Sequence, residues 1–297
     1  MAGGSERTSN AKRIREEGES HYSLRSQVSA VSSSGPHVAE MTTKPESHSW
    51  STQAVQSRRS YVVNVPHVRQ SYNWDCGLAC VLMVLRSLGV MKCDLRCLRS
   101  LCPTTSIWTV DLAHLLRKFG VEVHFTTITV GANPDFASES FYRENMEEDG
   151  LRVERLFREA DSIGISIQCR SLSAAEIRNC VLSGHWLLIA LVDKRKLNSW
   201  HTAAESCLPQ CCVMAGYTGH YIVLCGYDGE RQEYVVRDPA SSATTVQISE
   251  VSLEEARKSF GTDEDLLIVS RTYPNISQVE QALKEAGERS RQGFGRR

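Results

Sequence analysis

Gln70-Ser-Tyr-Asn-Trp-Asp-Cys76-Gly77 is the stretch on which the reading of this chain turns. Cys76 stands where a polar loop gives way to Leu78, Val81, Leu82, Leu85 and Leu88. That spacing predicts an amphipathic helix over 76–88, with Gly89 as its C-terminal stop. A helix N-terminus carries partial positive charge, which favours thiolate over thiol, and the thiolate is the nucleophile. Gly77 leaves the backbone open to close approach by a substrate. Gln70 precedes Cys76 by six residues. Its side-chain amide is placed to donate to a developing oxyanion, with the Cys76 backbone N–H as second donor.

A thiol nucleophile needs a base, and the base needs an orienting group. Two β-rich runs, 219–227 and 233–237, flank Asp228-Gly229-Glu230-Arg231, which is hairpin-turn chemistry. A turn centred near Gly229 sets His220 opposite Asp238 on one face of the pair, with Cβ atoms about 5 Å apart. A one-residue slip would separate them. Cys76, His220, Asp238 and Gln70 are therefore the candidate catalytic residues. Taken singly, each has a bland alternative: a core cysteine, a satisfied histidine on a strand, an Asp-Pro that ends one.

Outward from these residues the chain divides by composition. Residues 1–57 are rich in Ser, Gln, Glu and Arg, with one Leu and one Ile. Such a segment buries too little apolar surface to offset its ordering entropy and is expected to be disordered. Residues 273–297 are again polar, with a surface helix expected over 277–288. Residues 58–272 remain as one domain of ordinary size. Within it, apolar spacing predicts further helices over 108–119 and 151–161, and strands over 61–65, 121–126, 164–168, 185–192 and 265–270. Ser173 with Glu176, and Ser252 with Glu255, are capping boxes that each open a helix. Helices lead and strands dominate the second half. The expected class is α+β, with N-terminal helices packed on a largely antiparallel sheet.

A formal net charge of -1 argues against a partner bound through bulk positive charge, so no nucleic acid is expected. The longest purely apolar run, 186–192, is far short of a membrane helix, and the N-terminus lacks the apolar core of a signal peptide. The expected compartment is the cytoplasm, with the nucleus left open. There the eleven cysteines would stay reduced. Cys80 reads as core packing or a resolving thiol, and Cys93, Cys97 and Cys102 as a loop cluster. His201, Cys207, Cys211 and Cys212 are a zinc candidate without the paired spacing that marks such sites, the alternative being an insertion beside the active site. Oligomeric state is open.

Gln-x5-Cys-Gly at a helix start, Gly-His-Tyr on one strand and Asp-Pro after the next resemble the papain-like superfamily, in particular the C39-type cysteine peptidases. The resemblance implies Cys76 as nucleophile, His220 as base, Asp238 as orienter and Gln70 as oxyanion donor. A further resemblance spans about 60–271. Asn-Val-Pro-His-Val, Tyr-Asn-Trp-Asp-Cys-Gly-Leu-Ala-Cys, Ser-Ile-Trp-Thr-Val-Asp-Leu, Ser-Phe-Tyr-Arg, Gly-His-Tyr-Ile-Val-Leu-Cys-Gly-Tyr and Ser-Phe-Gly-Thr-Asp-Glu-Asp-Leu-Leu are similar to the plant guanylyl cyclase 1 family and its animal relatives. That family name implies conversion of GTP to cyclic GMP and pyrophosphate.

The two resemblances imply different reactions. Thiol chemistry needs no cofactor and acts on a peptide or other acyl substrate. A third reading keeps the papain-like scaffold as a catalytically silent binding module. A cyclase takes a nucleotide, with Mg²⁺ or Mn²⁺ held by carboxylates. The carboxylates available are Asp111, Asp228, Asp238 and the run Asp263-Glu264-Asp265, none at a spacing that specifies a metal. The run also reads as a polar turn before a strand. Arg58, Arg59 and Arg69 are candidate phosphate contacts, with plain surface as the alternative. No glycine-rich phosphate loop is present.

Overall fold

The computed structural model describes residues 58–138, 146–197 and 217–294. The N-terminal extension and the zinc candidates His201, Cys207, Cys211 and Cys212 lie outside the described residues. The strands are β1 (Ser60–Val62), β2 (Val123–Thr127), β3 (Ser166–Cys169), β4 (Trp186–Asp193), β5 (Gly219–Asp228), β6 (Glu233–Arg237), β7 (Val246–Ser249) and β8 (Leu266–Ser270). The helices are α1 (Cys76–Ser87), α2 (Leu95–Leu101), α3 (Thr109–Lys118), α4 (Met146–Ala160), α5 (Ala174–Ser183), α6 (Glu250–Arg257) and α7 (Ile276–Phe294).

These strands form one sheet in the order β3-β2-β8-β4-β5-β6-β7. The β2–β3 pair is parallel and every other pair is antiparallel. β5 is long enough to take two partners on one edge: β4 runs beside 219–224 and β1 beside 226–228. The α+β expectation with a largely antiparallel sheet holds.

Alternation along the central strands sorts the core into two layers. Leu187, Ile189 and Leu191 of β4 join Tyr221 and Val223 of β5 under α1, α3 and α4. Leu188, Ala190 and Val192 join Ile222 and Leu224 under α5 and α6. The leading helices thus cover one face only. Two helices from later in the chain cover the other.

Local signals explain most element ends. Ser173 and Glu176 close the expected capping box on α5, and Gly184 ends that helix at φ 74°. Gly89 and Gly120 adopt φ 80° and 73° just after α1 and α3, where a side chain would be strained. Three expectations fail. The cysteine cluster 93–102 is built around a helix rather than a loop, with Cys97 inside α2 and Cys93 and Cys102 flanking it: Asp94 caps α2 by accepting from the Cys97 N–H at 2.8 Å. Its seven residues carry too few apolar positions to stand out by period. β7 was also unforeseen. The cap of α6 is Ser249 rather than Ser252, with Ser249 Oγ accepting from the Ser252 N–H at 3.1 Å.

The C-terminal helix runs beyond the expected 277–288. Ala282 and Ala286 are buried in the core, and Lys118 pairs with Glu285 at 3.1 Å. Among the described residues no helix is long and apolar enough to cross a membrane.

Candidate active site

Cys76 is the first residue of α1, and His220 is the second residue of β5. Both are buried, at 6% and 4% exposure. His220 Nε2 lies 2.5 Å from Asp238 Oδ1. An ionised carboxylate only accepts, so Nε2 carries the proton and Nδ1 is left for the sulfur. The Cys76 side chain is near enough to the His220 ring to raise its pKa. The structure therefore brings Cys76, His220 and Asp238 together.

The electrostatics follow from burial and pairing. Burial alone would lower the His220 pKa. The hydrogen bond His220 donates to Asp238, together with the Cys76 contact, outweighs it and the pKa is pushed up to about 9. Asp238 shows the converse balance. Burial would raise its pKa, but the His220 hydrogen bond and charge hold it below the usual carboxylate value. The carboxylate is further tied by the Ala240 N–H, which donates to Oδ1 at 2.8 Å. His67 Nε2 lies 2.8 Å from the Asp238 carbonyl oxygen and so fixes the backbone behind the carboxylate.

The pairing of His220 with Asp238 does not arise in the expected register. The last pairs are Val223↔Arg237 and Leu224↔Val236, with a bulge between Leu224 and Gly226. Continuing that ladder sets Ile222, not His220, opposite Asp238. The turn is longer than expected, since Asp228 pairs with Glu233 and Gln232 takes φ 55°. Turn and bulge shift the register in opposite senses. The net displacement is two residues, so His220 and Asp238 are not facing partners; they meet where β6 has ended at Arg237.

Gln70 is drawn to the same place by its backbone, whose N–H donates to the Pro239 carbonyl at 3.0 Å. Its side-chain Nε2 donates to the Tyr72 carbonyl at 2.7 Å, and its Oε1 is buried without a partner. One Nε2 hydrogen remains to be donated.

The loop between Gln70 and Cys76 is held by Asp75, which spacing did not single out. Its buried carboxylate accepts from the N–H groups of Ser71 at 3.1 Å and Tyr72 at 2.9 Å, and from Arg99 at 2.6 Å. Arg99 also sits 4.7 Å over the Tyr72 ring, which stacks on Trp74. Gly77 has a different role from the one expected. A Cβ there would lie 2.8 Å from Leu112 Cδ1 and 3.1 Å from Tyr221 Cδ2. Its bareness lets α1 pack against α3 and β5. Cys80 is fully buried, and desolvation raises its thiol pKa well above the usual value. It is a core residue.

Apart from Asp265, the carboxylates considered for a metal are engaged elsewhere. Asp111 pairs with Arg152, which also holds Asp149 at 2.8 Å. Asp228 accepts within its own turn from the Glu230 N–H at 3.0 Å. Asp263 accepts from Thr129 and Asn133, and Glu264 pairs with Arg257 at 3.0 Å. Among the described residues no group of three or more His, Cys, Asp or Glu side chains is arranged to hold a metal ion. These residues do not fit a divalent-cation site. Arg58, Arg59 and Arg69 are exposed.

Comparison with known proteins places these features in a family. Among solved structures, the chain is similar to xylellain, a cysteine protease from Xylella fastidiosa, at 10% identity and a TM-score of 0.40, over 73% of this chain and 87% of that one. Among curated proteins it is 53% identical over 217 residues to "Guanylyl cyclase 1" of Arabidopsis thaliana, covering 70% of this chain and 76% of the relative. A family model described as guanylylate cyclase matches residues 65–269. That match holds both the Cys76–His220–Asp238 cluster and the loop that positions it, and the chain belongs to the guanylylate cyclase family.

Proposed function

We propose that this protein is a cysteine hydrolase acting on an amide or acyl substrate. The observation that carries the reading is the buried contact of Cys76, at a helix N-terminus, with a histidine whose far nitrogen is held by Asp238. His220 Nδ1 takes the Cys76 proton. The thiolate attacks the substrate carbonyl carbon, so a C–S bond forms and the oxygen becomes an oxyanion. The Cys76 N–H and the remaining Gln70 N–H donate to it. The C–N bond breaks, and the imidazolium returns its proton to the leaving amine. Water, deprotonated by His220, then attacks the thioester; a C–O bond forms, the C–S bond breaks, and the acid leaves. Asp238 keeps the imidazole in the productive tautomer throughout. The compartment this chemistry requires is one that keeps thiols reduced, which fits the cytoplasm.

The test is alkylation of native protein by limiting iodoacetamide, followed by peptide mapping. Cys76 should react at least tenfold faster than the remaining cysteines, on the scale expected of a paired thiolate. If it reacts no faster than they do, the reading fails.

A second reading is supported by the name of the Arabidopsis relative: cyclisation of GTP to cyclic GMP and pyrophosphate. Incubation with GTP and Mg²⁺ or Mn²⁺ tests it. Cyclic GMP formed equally by wild type and Cys76→Ala would place a cyclase site elsewhere on the chain, while no product would leave the hydrolase reading standing.

A further inference from the structure

Asp265 is 8% exposed, and its Oδ1 has no hydrogen-bond partner. It lines a recess walled by Trp108, Phe136 and Tyr221, with Asp263 beside it. The recess has room for one water-sized group. It shares Phe136 and Asp263 with a wider cleft of about 160 Å³. Asp263 and Glu264 take φ 46° and 53°, a left-handed turn that side chains rarely adopt. That turn sets Asp263 and Asp265 at one recess.

The nearby cations are committed elsewhere. Arg257 pairs with Glu254 and Glu264, and Lys258 with Glu254 at 3.1 Å. The groups acting on Asp265 are Thr109 and Thr127, whose side chains hydrogen-bond to its carboxyl, and Asp263; none of them is a cation. Burial and the Asp263 charge push its pKa up to about 8. Two neighbouring buried carboxyls without a counter-ion are costly to ionise, and a cation offsets that cost. Aromatic walls suit the methylene stem and charged tip of a basic side chain.

The recess is joined to the thiol site through two adjacent residues. Tyr221 follows His220, and its ring packs against Gly77, which follows Cys76. The Tyr221 hydroxyl in turn lies 3.0 Å from Thr109 Oγ1.

We propose that this recess is the specificity pocket of the Cys76 site, and that it takes the ammonium end of a substrate side chain, with Asp265 and Asp263 as its counter-charges. The proposal rests on the hydrolase reading and adds the substrate class to it.

The test uses the full chain and blocked dipeptidyl acyloxymethyl ketones. The side chain is lysine, norleucine or glutamate, placed next to the ketone in one set and one residue further in another. The thiolate displaces the carboxylate from the ketone's α-carbon; a C–S bond forms and a C–O bond breaks. Each labelling rate is divided by the iodoacetamide rate of the same protein, which removes differences in the thiol itself. In at least one set, wild type should label with lysine about tenfold or more faster than with norleucine, and slowest with glutamate. Asp265→Asn should bring the lysine and norleucine ratios together. Equal ratios for lysine and norleucine in wild type in both sets overturn the pocket, without needing any variant to fold. So does a lysine preference that survives in Asp265→Asn. If Cys76 reacts with neither ketones nor iodoacetamide, the hydrolase reading has failed and the pocket proposal with it. Iodoacetamide labelling without lysine preference sinks the pocket alone.

Discussion

His220 and Asp238 meet at 2.5 Å although the hairpin register does not set them opposite one another. The contact is a product of the long turn and the bulge acting together. It helps set the protonation of the whole site, because Asp238, together with Cys76, lifts His220 to a pKa of about 9 against the effect of burial.

Replacing Asp238 with Asn removes that lift and allows the wrong imidazole tautomer. Turnover of an amide or ester substrate should fall by about 10²–10⁴-fold. The pH dependence of Cys76 alkylation should shift as well. An unchanged alkylation profile in Asp238→Asn would show that the carboxylate does not act through His220.

The same pair makes folding stability depend on pH. The folded pKa of His220 is raised, so its contribution is full below the unfolded value of about 6.5 and is lost as pH rises toward 9. Asp238 is depressed, so its contribution is present above about pH 4 and is lost as pH falls through its folded value. Urea unfolding of the wild type should therefore lose on the order of 3 kcal/mol between pH 6 and pH 9.5 from this site. The loss should be smaller in Asp238→Asn. Identical pH slopes in the two proteins would contradict the assignment.

Arg99 is expected to act on the thiol through Asp75. Arg99→Met leaves a buried carboxylate without its cation and should destabilise the fold by about 1–3 kcal/mol. It should also slow Cys76 alkylation, since the 70–76 loop depends on Asp75 accepting from Ser71 and Tyr72. Arg99→Lys should restore part of the stability. Full alkylation rate in a folded Arg99→Met protein would separate the ion pair from the site.

Gly77→Ala sets a methyl group against Leu112 and Tyr221. Overpacking there should cost about 1–3 kcal/mol, read as a lower Tm, and should slow Cys76 alkylation by moving the start of α1. A variant as stable as wild type would mean that Leu112 yields freely, and the close packing would not be what requires glycine.

Much of the site was legible before any tertiary structure. Cys76 announced itself by standing at the head of an apolar period, and α1 begins there. The Ser173 box opened its helix and Gly89 ended α1 where expected, because capping depends on a few adjacent residues. His220 and Asp238 could be paired from spacing because a hairpin turns long range into short. Even so, the assumed register was wrong by two: the pair meets beyond the last paired residue of β6 and not as facing partners.

What the sequence by itself determined was the class of fold, the element carrying the thiol, and the residue types of a nucleophilic site; these rest on periodicity and on neighbours a few residues apart. Tertiary structure alone decided the rest. Arg99 reaches Asp75 across 24 positions, Gly77 is bare because Leu112 and Tyr221 press on it, and Asp265 keeps one carboxylate oxygen without a partner beside Asp263. None of these contacts has a local spacing to reveal it. Each exists because close packing forces one arrangement on side chains that meet only when the chain has closed on itself.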